Sequence, residues 1–217
     1  MNKAFLFDMD GVVVDSEPYW TAFEEPFFRE VFGEKVAKEV GHAPGRGIVR
    51  VYEEAIAKGA IVDEEKYHRG FDNVARRVYK AAPLTQGIGS LVDGLLELKF
   101  KIAIVTQSSE SWIVNVLPKL PFREKLDAVV SIGNRSDLRP KPAPDGFLEA
   151  FRLLNADPKR SMILEDSNLG LQAAKASGAF TIAYRGNLSD GYKQEGADAY
   201  ADTMEEVQKL VEEFTRR

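Results

Sequence analysis

The sequence predicts an α/β fold: a doubly wound parallel sheet covered by helices, with a helical cap inserted after the first strand. Three observations predict it. Short apolar runs recur along the 217 residues without polar alternation, as strands buried on both faces require. Amphipathic helical patterns separate those runs, which implies parallel strands joined by crossovers. One stretch, from Ser16 to about Ala81, breaks the alternation and carries helix signals with no convincing strand.

The first run, AFLF at Ala4–Phe7, leads straight into Asp8, Asp10 and Gly11. Ser16 is a plausible N-cap for EPYWTAFEEPFFREVF, in which Pro26 is expected to kink the helix. GIVRVYEEAIAKG and DEEKYHRGFDNVARRVYKAA continue the helical insertion. The expected division is therefore a core of residues 1–15 and 82–217 and a cap of residues 16–81, joined by two crossings that let the cap act as a lid. GSLVDGLLELKF then reads as a helix before a second strand, IAIV at Ile102–Val105. AVVSI, from Ala128, is a weaker strand, and DGFLEAFRLLN is a helix before MIL at Met162–Leu164. LGLQAAKASG ends on a C-cap glycine, Gly178, before TIAY at Thr181–Tyr184. DTMEEVQKLVEEFTRR is an amphipathic helix that covers the sheet.

Composition narrows the function classes. The chain is 44% hydrophobic and 29% charged with a net charge of −5, so no basic surface argues for nucleic acid. It has no cysteine, which excludes disulfides, thiol nucleophiles and cysteine-ligated zinc. The apolar N-terminal run is too short for a signal peptide, and no stretch approaches the roughly 18 apolar residues of a membrane span. A cytoplasmic monomer is the default expectation.

Ligands of parallel α/β sheets bind beyond the carboxyl ends of the strands. The first strand delivers Asp8 and Asp10 there. The second delivers Thr106, Gln107, Ser108 and Ser109, and MIL delivers Glu165, Asp166 and Ser167. Lys141 lies between Pro140 and Pro142, which stiffen its loop. Clustered carboxylates call for a hard, oxygen-liganded cation such as Mg²⁺. Thr106, Ser108 and backbone N–H groups are candidates to hold phosphate oxygens. Lys141 would neutralise charge and restrain a carboxylate nucleophile. Asp8 suits the role of nucleophile, forming an aspartyl phosphate, and Asp10 suits general acid and base. Each feature also has a plainer reading. Asp-x-Asp-Gly is a common turn, and the groups Glu165–Ser167 and Thr106–Ser109 are both compatible with helix starts.

DMDGVVVDSEP, VTQSS, RPKPAPD and LEDSNLGLQAAKASG, in this order, resemble the signatures of the haloacid dehalogenase superfamily of phosphohydrolases. The resemblance is to its β-phosphoglucomutase-like branch with a helical cap, and it runs the full length. It implies a Rossmann-like core, Asp8 as nucleophile and Asp10 as general acid/base. Thr106 and Lys141 would bind the transferring phosphoryl group, with Gln107 and Ser108 as further phosphate-binding candidates beside them, and Mg²⁺ would sit on Asp8, the Asp10 carbonyl, Glu165 and Asp166. The substrate it implies is a small phosphate monoester, most simply a phosphosugar, with no nucleic acid or membrane partner. The branch's mutases carry a histidine where this chain has Trp20. Arg46, in GHAPGRG, matches their phosphate-binding cap arginine, and His42 lies in the same candidate specificity loop. His68, in a charged helix, reads as solvated. The expected activity is an Mg²⁺-dependent phosphatase, with a phosphomutase on the same site as the alternative. A non-enzymatic phospho-acceptor fits Asp8's position and the helical insertion poorly.

Overall fold

The computed structural model of the chain describes residues 1–41, 47–133, 135–189 and 191–216. Its centre is a six-stranded sheet in the order β3-β2-β1-β4-β5-β6. The strands are β1 (Ala4–Phe7), β2 (Lys101–Thr106), β3 (Ala128–Ser131), β4 (Met162–Glu165), β5 (Phe180–Tyr184) and β6 (Ala199–Ala201). Every pairing is parallel. The expected runs all form strands. β6 was not expected, because AYA is too short and too mixed to stand out from its polar surroundings.

β1 explains why an unalternating run forms a strand. Phe5 and Phe7 point to one face of the sheet and Ala4 and Leu6 to the other, and all four are fully buried. Burying a side chain the size of Phe or Leu stabilises the fold by about 1.5–3 kcal/mol. The Phe5 face is covered by α5 (Ile88–Glu97) and α9 (Met204–Thr215). The Leu6 face is covered by α7 (Asp145–Leu153) and α8 (Asn168–Ala176).

Between β1 and α5 the described residues form four cap helices: α1 (Glu17–Phe32), α2 (Glu34–Val40), α3 (Ile48–Ala57) and α4 (Glu64–Ala81). Pro26 lies inside α1, which continues through it to Phe32. Phe28, Phe32, Tyr67 and Phe71 form the cap's own aromatic core, with ring centroids 5.3–6.3 Å apart. Ser16 departs from expectation. Its side chain makes no capping bond to α1, because it is turned to Asp10 instead. His42 and Arg46 lie outside the described residues.

The two crossings into the cap meet. Val14 bridges Leu84 in antiparallel fashion, Asp15 N–H donates to Pro83 O at 3.0 Å, and Thr85 N–H donates to Val13 O at 3.0 Å. Lys119 (in the turn after α6, Glu110–Ile113) donates to the carbonyls of Tyr79, Lys80 and Ala82, tying the end of α4 to the core. Among the described residues no helix is long and apolar enough to cross a membrane.

Candidate active site

β1 lies between β2 and β4: the chain builds the sheet through β2 and β3 on one side of it and through β4, β5 and β6 on the other. A crevice opens beyond the strand ends at such a switch point. A cavity of about 290 Å³ occupies it, roofed by α1 and α4. Asp8, Asp10, Trp20, Thr106, Gln107, Ser108, Lys141 and Asp166 all line it. Glu165 lies just beneath, fully buried.

Asp8 is held by its N–H, which donates to Leu164 O at 2.9 Å. Lys141 Nζ donates to Asp8 Oδ1 at 2.5 Å and also to Glu165 Oε1. The other Glu165 oxygen accepts from Asp166 N–H at 2.9 Å, Ser167 N–H at 3.0 Å and Ser167 Oγ at 3.2 Å. Ser167 Oγ in turn accepts from Gly170 N–H at 3.1 Å, so it caps α8 beside the acids. Two glycines make room for the acid pair. A Cβ on Gly170 would lie 1.8 Å from Glu165 Oε1, and one on Gly11 would lie 1.9 Å from Asp166 Oδ2.

These contacts separate the two neighbouring acids. Glu165 is saturated with protein donors, whereas Asp166 Oδ2 is buried with no hydrogen-bond partner. Asp8, Glu165 and Asp166 each offer a carboxylate oxygen within 4.8 Å of the others. When ionised, the three carboxylates exceed the charge of the Lys141 ammonium by two, and burial opposes that state unless a divalent cation balances it. The donor set is all oxygen, the kind that Mg²⁺ takes. The residues therefore fit the metal that the sequence resemblance implies, and Asp166 is the least satisfied carboxylate of the three.

Burial pushes the Asp8 carboxyl up, to about 8, with Lys141 pulling it down and Glu165 and Asp10 adding to the rise. Asp166 is raised too, by burial first and then by Glu165 and Glu17. A carboxyl raised in the fold stabilises it below its ordinary value, and that stability is lost as pH climbs to the raised one. In chelator, wild type should therefore lose thermal stability relative to Asp8→Asn between about pH 4 and pH 8. Mg²⁺ at about 100 times its dissociation constant should add about 2.7 kcal/mol, or about 5–11 °C. Asp166→Asn should remove most of that gain. Differential scanning fluorimetry over pH, with and without Mg²⁺, measures all three.

Asp10 sits differently. Its Oδ1 accepts from Ser16 Oγ at 2.7 Å and Trp20 Nε1 at 2.9 Å. Its Oδ2 lies 2.9 Å from both Ser108 Oγ and Tyr79 Oη. Thr106 Oγ1 accepts from Ser108 N–H at 3.0 Å, which shapes the loop after β2. Gln107 Oε1 accepts from Lys141 N–H at 2.9 Å, so one expected phosphate contact also fixes the lysine loop. His68 is half-buried in the cavity wall beside Tyr52 and Tyr67, not simply solvated as its charged helix suggested. Sequence reasoning missed Tyr79, Asp72 and Trp112. Trp112 Nε1 donates to Asp72 Oδ1 at 2.6 Å across the cap–core junction. Their partners are 29 to 69 residues away, and no local pattern marks such contacts.

A family model described as haloacid dehalogenase-like hydrolase matches residues 5–184. The chain is 25% identical to validoxylamine A 7'-phosphate phosphatase of Streptomyces hygroscopicus subsp. limoneus, over 84% of this chain and 85% of that protein. It is 27% identical to β-phosphoglucomutase of Bacillus subtilis, over 90% and 87% of the two chains. The crystal structure of CbbY from Rhodobacter sphaeroides in complex with phosphate shares the fold, with a TM-score of 0.74, 24% identity, and coverage of 95% of this chain and 96% of that one.

Proposed function

Because the chain belongs to the haloacid dehalogenase-like hydrolase family, we propose that it is an Mg²⁺-dependent phosphatase of small phosphate monoesters, with sugar phosphates the first class to test. The observation that carries this reading is the pair Asp8 and Asp10, lining one cavity with opposite surroundings. Asp8 is bonded to an ammonium beside an incompletely satisfied acid cluster, while Asp10 is surrounded by hydroxyl and indole donors. That division suits a nucleophile and an acid/base. The relatives' names, one a phosphatase of a validoxylamine phosphate and one a mutase of phosphoglucose, support a sugar-like leaving group.

In the proposed first step an Asp8 oxygen attacks phosphorus. The bond from phosphorus to the substrate alcohol breaks with its electron pair on that oxygen, which takes a proton from Asp10. In the second step Asp10 takes a proton from water as the water oxygen attacks phosphorus. The acyl phosphate P–O bond then breaks, returning the Asp8 carboxylate and free phosphate. Lys141 orients Asp8 and offsets the charge of the phosphoryl group, and Thr106 and Ser108 line its seat. Mg²⁺ held by Asp8 and Asp166, with Glu165 behind them, would supply further charge neutralisation at the phosphoryl oxygens. The cap excludes bulk water around the reacting atoms.

A phosphomutase on the same site is the second reading, and the β-phosphoglucomutase relative is what favours it. Against it stands Trp20, whose indole nitrogen donates and never accepts, at the position where the resemblance leads one to expect a histidine. One panel separates the readings. Hexose 1- and 6-phosphates, glycerol phosphate and phosphoglycolate are incubated with enzyme in Mg²⁺ or in chelator. Phosphate release that requires Mg²⁺ is the expected result. Conversion of a hexose 1-phosphate to its 6-isomer without phosphate release would replace phosphatase with mutase.

A further inference from the structure

Asp10 is gripped from the cap. Ser16 precedes α1 by one residue and Trp20 lies one turn further on, so both reach the same carboxylate oxygen from one helix face. Tyr79, near the end of α4, reaches the other oxygen. Among the described residues only Ser108 reaches Asp10 from the sheet side. The two large donors are locked by packing. The Trp20 ring stacks on Phe71 at 5.7 Å and meets Tyr79 edge-on at 5.6 Å, and Tyr79 is fully buried. Tyr79 Oη also lies 2.7 Å from Ser108 Oγ. Each hydroxyl has one proton, so every arrangement of that pair sends at least one to Asp10 when both serve as donors inside the group.

A carboxylate on a short side chain swings about two torsions. Donors already fixed by other contacts hold it without any added cost of ordering the donors themselves. We propose that Trp20 and Tyr79 are positioning residues for Asp10, holding its carboxylate in the rotation that serves the leaving oxygen of the substrate. This rests on the reading of Asp10 as general acid. Tyr79 does not line the cavity, and the role assigned to both residues is exerted on Asp10. Their effect passes through Asp10, so it scales with how much the departing oxygen needs a proton.

That dependence supplies the test. Trp20→Phe and Tyr79→Phe remove one donor each and keep an aromatic ring. For both, and for Asp10→Asn, kcat/KM is measured on an alkyl phosphate and on p-nitrophenyl phosphate, whose leaving group departs without help. kcat/KM reports the step in which the alcohol leaves, whatever limits turnover. Each Phe variant is expected to lose about 10- to 100-fold on the alkyl ester, the size expected for one hydrogen bond to a charged group. The loss on the aryl ester should be at least several-fold smaller. Asp10→Asn should show the same bias more strongly, by about 10²–10⁴-fold on the alkyl ester. Equal losses on the two esters, or none, in both Phe variants would overturn the positioning role. Tyr79→Phe is the cleaner of the two, since Tyr79 does not line the cavity. If Asp10→Asn itself showed no bias between the esters, the general-acid reading would fall instead, and the two failures are thereby told apart.

Discussion

Asp8→Asn is expected to lower phosphate release by about 10⁴-fold or more, with no loss of thermal stability in chelator. The pairing of those two results is what makes the experiment informative. Asparagine matches aspartate in shape and cannot form an acyl phosphate. The backbone bond that seats residue 8, from its N–H to Leu164 O, is unaffected. Asp8 is 6% exposed and its carboxyl is driven up by burial, so a neutral side chain suits the metal-free fold at least as well as the charged one. Lys141 keeps Glu165 as a partner. Steady-state phosphate release and scanning fluorimetry on the same preparation read both effects. Release that survives in the variant would place the nucleophile elsewhere.

Lys141→Met is expected to damage the fold itself. The ammonium, 4% exposed at its side chain, is the cation that Asp8 and the fully buried Glu165 share. Burial alone would lower the Lys141 value, and the two carboxylates outweigh it and raise it. Removing one partner of a buried pair leaves an uncompensated charge and costs about 3–5 kcal/mol. That corresponds to about 6–20 °C in a domain of this size. Methionine keeps the stem's volume, so the cost reports charge more than packing. Adding Glu165→Gln should return at least about 1 kcal/mol, because the sites share one network. Urea unfolding of the single and double variants measures this, and a single variant within 1 kcal/mol of wild type would show that the pair is not what holds these strand ends together.

The strands were legible because each is short, apolar on both sides and bounded by turn residues. Asp8, Asp10, Thr106, Lys141, Glu165 and Asp166 were legible as a group because each lies at or just past the end of an apolar run or within a proline-stiffened loop. What escaped depends on distance across the fold. Trp20 stood out in the sequence as the residue in place of a histidine; in the fold it packs on Phe71 and its indole N–H reaches Asp10. Tyr79 is one of three aromatic residues, with Tyr67 and Phe71, in an amphipathic helix until α4 is docked, when its hydroxyl meets a partner 69 positions away in the chain. Ser16 has the residue type and place of an N-cap, and it loses that role because a carboxylate acceptor lies 2.7 Å away. Glu165 and Asp166 look equivalent in sequence and differ in surroundings, one filled by donors and one left open.

The antiparallel bridge between Val14 and Leu84 makes the long excursion between them topologically small. To the sheet, everything from Asp15 to Pro83 is the tip of a two-stranded ribbon whose ends are already joined. Closing a loop becomes only slowly more costly as it lengthens, so the core can carry an insertion of this size with little penalty to its own stability. The helices above the bridge are then free to diverge in sequence, length and number while Asp8, Lys141 and Asp166 keep their places. A chimera that exchanges the segment between Asp15 and Pro83 for that of another member should keep a folded core and take on the other member's choice of leaving group, provided it brings its own partners for Asp10.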